Sequence, residues 1–155
     1  MIRLGTPADL VALADIYRRA SLSNPGDRDR LLAHPEHLVL EPDGLTEGRT
    51  HVAEENGSGV GFAIFHGTFS TWECRAGLWL EDLFVLAEHR RGGVGEALLR
   101  HVARIAVERD CARFEWAALD WNTPALQFYE KLGAEALGEW KLHRLSADAL
   151  IAASR

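Results

Sequence analysis

Cysteine is scarce in this chain: Cys74 and Cys111 are the only two, far apart and in no metal-ligand or redox spacing. No disulfide framework and no zinc motif can be built from them, and both are expected to be reduced, packed thiols of a cytoplasmic protein. Long apolar runs are also missing. No stretch approaches the roughly 20 residues that cross a bilayer, and Met1-Ile2-Arg3-Leu4 begins no charged-then-apolar leader, so a soluble, untargeted chain without a membrane partner is expected. Basic residues are in the minority, 17 Lys and Arg against 23 Asp and Glu, for a net charge of -6. That balance argues against a nucleic-acid partner and favours a cationic one.

What is present suffices for one compact core: 155 residues, 47% of them hydrophobic, predict a single domain over residues 1–155. Residues 2–4 read as a short strand, followed by Thr6-Pro7 as a helix start with Leu10, Leu13, Ala14 and Tyr17 at helical spacing behind it. Residues 21–48 are broken by Asn24-Pro25-Gly26, Pro35 and Pro42 around a short helix at 27–33, and read as variable surface or a substrate lid. Residues 50–54 and 60–69 form a hairpin through Glu55-Asn56-Gly57-Ser58-Gly59, and residues 77–86 a third strand of the meander. This last strand is apolar on both faces except for Glu81-Asp82, as in a central strand. Val94, Leu98, Val102, Ile105 and Ala106 then make one stripe of a long helix ending near Arg109. A strand at 113–119, a helix at 123–132 closed by Gly133, a last strand at 137–145 and a tail helix at 146–153 complete the chain. The pattern predicts an α/β (α+β) sandwich around a mixed sheet.

Between the third meander strand and the long helix lies Arg90-Arg91-Gly92-Gly93-Val94-Gly95. Glycines let backbone N–H groups approach a ligand, the helix start presents orphan donors, and the arginines match phosphate oxygens. An anion is the natural guest; an ordinary glycine-rich turn with two solvated arginines is the plainer alternative. The turn is not a dinucleotide fingerprint, because Leu98 stands where the third glycine belongs, and it lacks the Gly-Lys-Ser/Thr ending of a nucleotide-triphosphate loop.

With this turn, the chain resembles the GNAT N-acetyltransferase superfamily. Its C-terminal half is most similar to the spermidine/spermine and thialysine acetyltransferase branch, through Leu80-Glu81-Asp82-Leu83-Phe84-Val85, Arg90 to Gly95, Trp121-Asn122-Thr123-Pro124-Ala125 and Phe128-Tyr129-Glu130-Lys131-Leu132-Gly133. The acidic helix ending that the branch uses for amine binding is replaced here by Ala20-Ser21-Leu22-Ser23-Asn24-Pro25-Gly26. The resemblance implies a mostly antiparallel sheet of six to seven strands flanked by helices, with its fourth and fifth strands splayed apart at a bulge. It also implies acetyl-CoA as acyl donor. Leu83, Phe84 and Val85 would offer main-chain groups to the pantetheine arm, while Arg90, Arg91, Gly92, Gly93, Val94, Gly95 and Glu96 would hold the pyrophosphate. Asn122, Pro124, Ala125 and Tyr129 would touch the cofactor from the other strand. Glu81 would be the base, Tyr129 the acid, Asp82 and Trp121 contacts to the acceptor, and a homodimer the assembly.

These residue types suit the reaction. An alkylammonium, near pKa 10.4 for lysine, must lose a proton before it attacks a thioester, and Glu81 on an apolar strand is expected to be desolvated and so made more basic. Backbone N–H groups near Phe84 and Val85 can receive the developing oxyanion, and Tyr129 can protonate the departing thiolate. Read alone, Glu81 is equally a carboxylate paired with an arginine across the sheet, and Tyr129 an amphipathic core tyrosine. Asp82 is expected on the opposite strand face unless a bulge realigns it. His34 and His37 have no third ligand nearby, so no metal is expected. The five tryptophans are expected in the core or an interface.

The leading reading is acetyl transfer from acetyl-CoA to a primary amine on a small cationic molecule, in a ternary complex. A protein or peptide N-acetyltransferase is one alternative; a non-catalytic acyl-CoA-binding sensor, which needs neither Glu81 nor Tyr129, is another.

Overall fold

The computed structural model describes residues 1–6, 9 and 50–155. The expected first helix beyond Asp9, the short helix at 27–33, His34 and His37, and the lid reading of residues 21–48 lie outside them. The chain divides into two compact units, Met1–Ala117 and Ala118–Arg155.

The first unit is built on a sheet of five strands among the described residues, in sequence order. They are β1 (Ile2–Leu4), β2 (Thr50–Glu55), β3 (Ser58–Ser70), β4 (Arg75–Val85) and β5 (Arg113–Glu115). The first three pairings are antiparallel and β4 with β5 is parallel, so the sheet is mixed and mostly antiparallel as expected. Asn56 and Gly57, at φ 51° and 78°, close the β2–β3 hairpin with the two left-handed residues that match strand twist. The loop is thus shorter than the five residues the sequence suggested.

Helix α1 (Val94–Glu108) lies against β2, β3 and β4. Leu98, Leu99, Val102 and Ala106 are buried on it, and Phe65, Leu78 and Leu80 are buried on the sheet. Each such leucine, valine or phenylalanine contributes about 1.5–3 kcal/mol by leaving water. Leu99 belongs to this stripe although the period-based reading passed over it; Val94 and Ile105 are only half-buried. A second cluster holds Val52, Phe62 and Leu86, with Ile64 and Phe84 packed against it.

Three expectations are corrected. Residues 137–145 contain no strand, and β5 stops at Glu115 rather than at residue 119, so the described sheet has five strands rather than six or seven. Cys74 is exposed and Cys111 half-buried. Trp72, Trp121 and Trp140 are exposed, which removes the core alternative for these three and leaves that of an interface.

The second unit holds α2 (Thr123–Lys131) and α3 (Ala147–Ala153). No helix among the described residues is long and apolar enough to cross a membrane.

Candidate active site

Strand β4 carries an extra residue. Phe65 pairs with Leu80 and the next residue back, Ile64, pairs with Asp82, so Glu81 has no partner on β3 and forms a β-bulge. Because Asp82 takes the register position opposite Ile64, it shares a face with Phe84 and Ile64 instead of alternating away from Glu81. The bulge therefore puts both carboxylates on one face. It lies at Glu81, earlier than the stretch 83–85 where it was expected.

The two carboxyls differ in surroundings. Glu81 is 61% exposed in its side chain, which corrects the expectation of desolvation there. Its Oε2 accepts a hydrogen bond from Trp79 Nε1 at 3.2 Å and stands 4.0 Å from His66 Nε2. Asp82 is half-buried. Burial pushes its carboxyl up from the ordinary range, and the neighbouring charge of Glu81 adds to the shift. The desolvated acid of this pair is thus Asp82. No arginine is paired with either carboxylate among the described residues.

Beyond the bulge, β4 loses its other neighbour. Pairing with β5 covers only Gly77, Leu78 and Trp79, while β4 continues to Val85. The edge of β4 away from β3 is open from Leu80 onward among the described residues, as the expected splaying of the fourth and fifth strands requires. The Phe84 carbonyl is turned toward β3, since a Cβ on Gly61 would meet its oxygen at 2.7 Å. Leu86 N–H likewise donates to Val60 O. By strand alternation, Leu83 and Val85 direct their main-chain groups to the open edge. There the Val85 carbonyl accepts from Arg90 Nε at 2.9 Å.

The arginines of the turn have separate tasks. Arg90 is tied to Val85 O and lies over the Phe84 ring, 5.3 Å from its centroid, so it clamps the end of β4. Arg91 sits at φ 66° and is exposed, with no ion-pair partner among the described residues. Gly93 caps α1 in the left-handed conformation at φ 85°. Ala97 N–H to Gly93 O is the first bond of the helix at 2.9 Å, which leaves the N–H groups of Val94, Gly95 and Glu96 without helical acceptors. Three orphan donors, the helix dipole and one uncommitted guanidinium suit a pyrophosphate.

In the second unit, Asn122 Oδ1 caps α2 by accepting from Ala125 N–H at 3.4 Å, with Pro124 in the first turn. Tyr129 is half-buried beside Phe128, ring centroids 5.3 Å apart. Burial pushes its phenol up, so it holds its proton at neutral pH. Trp121 is 69% exposed. The sequence reading passed over His66 and Trp79 as site residues. The two-residue spacing of Trp79 and Glu81 was a usable signal; the approach of His66 depends on strand register.

The family model described as the Acetyltransferase (GNAT) family matches residues 11–134. The chain belongs to the GNAT acetyltransferase family. It is 41% identical over 91 residues to an L-ornithine N5-acetyltransferase of Arabidopsis thaliana, covering 59% of this chain and 40% of that protein. It is 35% identical over 94 residues to the thialysine N-epsilon-acetyltransferase of Bos taurus, covering 59% and 55%. The chain thus spans about half the length of the curated relatives it matches. Among solved structures, an integron cassette protein of V. cholerae superposes with a TM-score of 0.83 at 24% identity, covering 100% of this chain and 97% of that one. A ribosomal-protein-alanine N-acetyltransferase of Brucella melitensis gives 0.72 at 20% identity, covering 93% and 99%. At such identities these two bear on the fold, which is that of GNAT acetyltransferases.

Proposed function

We propose that this GNAT protein acetylates the primary amine of a small cationic acceptor with acetyl-CoA as donor. The observation that carries the reading is the bulge at Glu81, which sets two carboxylates side by side next to the open edge of β4. The relatives' names, ornithine, thialysine and, at 32% identity over 91 residues, tyramine N-acyltransferases, support an amine acceptor. The family match crosses the boundary between the two units, which supports the single-domain reading.

Acetyl-CoA would supply an activated acyl group and an anionic handle. The N–H groups of Val94, Gly95 and Glu96, with Gly92, Gly93 and Arg91, would hold the pyrophosphate, while Arg90 keeps the end of β4 in place. Leu83 and Val85 would bind the pantetheine arm through their open-edge groups. Val85 N–H is the donor best turned toward a developing oxyanion; Phe84, whose carbonyl faces β3, would contribute its side of the strand as packing. Asn122, Pro124 and Ala125 would line the cofactor from α2. Asp82 and Trp121 would contact the acceptor. Glu81, exposed at the bulge, would take the ammonium proton directly or through water, and Tyr129 would give one to the leaving thiolate. The exposed Trp140 and Leu142 offer apolar surface for a homodimer, and the cytoplasm is the compartment in keeping with two free thiols.

The test is thiol release from acetyl-CoA against a panel containing L-ornithine, thialysine, tyramine, diamines and peptides, with products identified by mass spectrometry. Amine-dependent release is expected, and Glu81→Gln should lower kcat by about 10²–10⁴-fold at neutral pH, less at alkaline pH. Tight acetyl-CoA binding without release for any amine would replace this reading with the sensor.

A further inference from the structure

We propose that His66 governs access of the cationic acceptor to Glu81, by acting as a built-in competing cation when protonated; the proposal rests on the reading of Glu81 as the acceptor-facing carboxylate. His66 and Trp79 are register partners across β3 and β4, on the face to which the bulge commits Glu81. Trp79 Nε1 holds Glu81 Oε2 at 3.2 Å, and His66 Nε2 is 4.0 Å from the same oxygen. Oε2 is thus held by Trp79 and approached by His66, and Oε1 is left for a guest.

A neutral imidazole at that distance leaves the carboxylate available. An imidazolium there is a cation next to the group that has to receive an ammonium ion, and histidine is the side chain whose charge ordinarily changes between pH 5 and 8. Closing 4.0 Å to hydrogen-bond contact needs only a small rotation of two partly exposed side chains, 44% and 61% exposed. The other polar contact of the ring is His66 Nδ1 to Gly67 O at 3.3 Å, which fits a protonated Nδ1.

The remaining charges around this face, among the described residues, are Asp82 of β4, Arg75 of β4 with its partner Asp110, and the pair Arg113 and Glu115 of β5. Arg113 Nε and Glu115 Oε2 are engaged with each other at 2.7 Å. Asp82 is half-buried, and Glu81 is the carboxylate that stands 4.0 Å from His66 Nε2. Glu81 is therefore the carboxylate His66 meets. His66 acts here as a positioning residue: it transfers no proton to the reacting atoms.

Two measurements on the whole chain separate this proposal from the reading beneath it. The first is an NMR titration of the His66 ring in the wild type and in Glu81→Gln, without donor, and again with 1,4-diaminobutane added. The His66 midpoint should fall in the variant, and the diamine should move the His66 signals in the wild type alone. The second is the pH dependence of KM and kcat for the best amine of the panel. KM should rise about tenfold from pH 8 to pH 6 in the wild type and stay within about twofold in His66→Gln, with kcat changing in parallel for both.

A His66 midpoint unaffected by Glu81→Gln overturns the proposal, as does a KM profile that His66→Gln leaves intact. Equal losses of kcat and KM at every pH would mark His66 as structural only and also overturn it. If no amine is acetylated, the activity reading fails, while the titration still decides whether His66 and a cationic guest compete for Glu81.

Discussion

Asp82 stands directly opposite Ile64 across the β3–β4 ladder, while Leu80, two residues earlier, stands opposite Phe65. The single residue gained between these pairs brings Asp82 onto the same face as Glu81. Half-burial beside that like charge explains why Asp82 has its carboxyl pushed up.

A carboxyl raised by burial and repulsion costs stability when ionised, so Asp82→Asn is expected to be more stable than the wild type at neutral pH. Each kcal/mol gained should raise Tm by about 2–4 °C in a chain of this size. The sign follows from linkage: the folded state holds the Asp82 proton more tightly than the unfolded chain, so the wild type recovers as pH falls and the difference closes in acid. Thermal melts at pH 7.5 and pH 4 check this, and the same variant should raise KM for the amine. A variant less stable than the wild type at pH 7.5 would contradict it.

Gly93 caps α1 at φ 85°, and a Cβ there would meet nothing within 4 Å. Gly93→Ala therefore has room for its methyl group, and its cost is conformational, about 1–2 kcal/mol. If the orphan donors of α1 bind a pyrophosphate, KM for acetyl-CoA should also rise, with KM for the amine little changed. Calorimetry and initial-rate kinetics on one preparation separate the two effects.

Burial holds the Tyr129 phenol above its ordinary range, so the group stays protonated across neutral and mildly alkaline pH. Tyr129→Phe is expected to lower kcat by about 10²-fold or more and to leave acetyl-CoA affinity nearly intact. Undiminished turnover in the variant would remove its role as acid.

His101 Nε2 and His51 Nδ1 share a hydrogen bond of 2.9 Å that ties α1 to β2, and His51 stacks on Phe65. Burial lowers the pKa of His101, helped by the nearby positive charge of Arg104 and opposed by Glu108. The unfolded chain therefore takes up this proton first. Stability should be full above about pH 6.5 and decline as pH falls through the lowered folded value. His101→Gln, which retains a hydrogen-bonding group without titrating, should flatten that part of the pH–stability profile in denaturant melts; an unchanged slope would refute the assignment.

Much of this molecule was legible from local chemistry. Three residues sufficed for β1, the turn residues from Glu55 to Gly59 placed the first hairpin though not its two-residue length, and the 3.6-residue recurrence from Val94 to Ala106 gave α1 to within a residue at its end. Thr123-Pro124 and Gly133 bounded α2 in the same way. Each of these signals lies within a few residues of what it determines, because helix caps, turns and periodicity are properties of neighbours in sequence. The Arg90 to Gly95 turn was likewise readable as the break between β4 and α1, with Gly93 at its left-handed cap.

Residues 137–145 show the reverse: their apolar content suggested a strand, yet strand formation depends on a partner ladder that no local pattern supplies. The placement of the bulge was equally closed to a linear reading. One inserted residue leaves no mark in the nearly continuous apolar run of β4, and only pairing with β3 reveals that Glu81 is the residue without a partner. From that pairing follow the shared face of Glu81 and Asp82, the inverted burial of the two acids, and the meeting of His66 and Trp79 at one carboxylate oxygen. The sequence by itself determined which chemical groups the candidate site contains and where helix α1 begins. Only the tertiary structure decided which of the two carboxylates is exposed and what stands beside it, because register sums contacts between residues far apart along the chain.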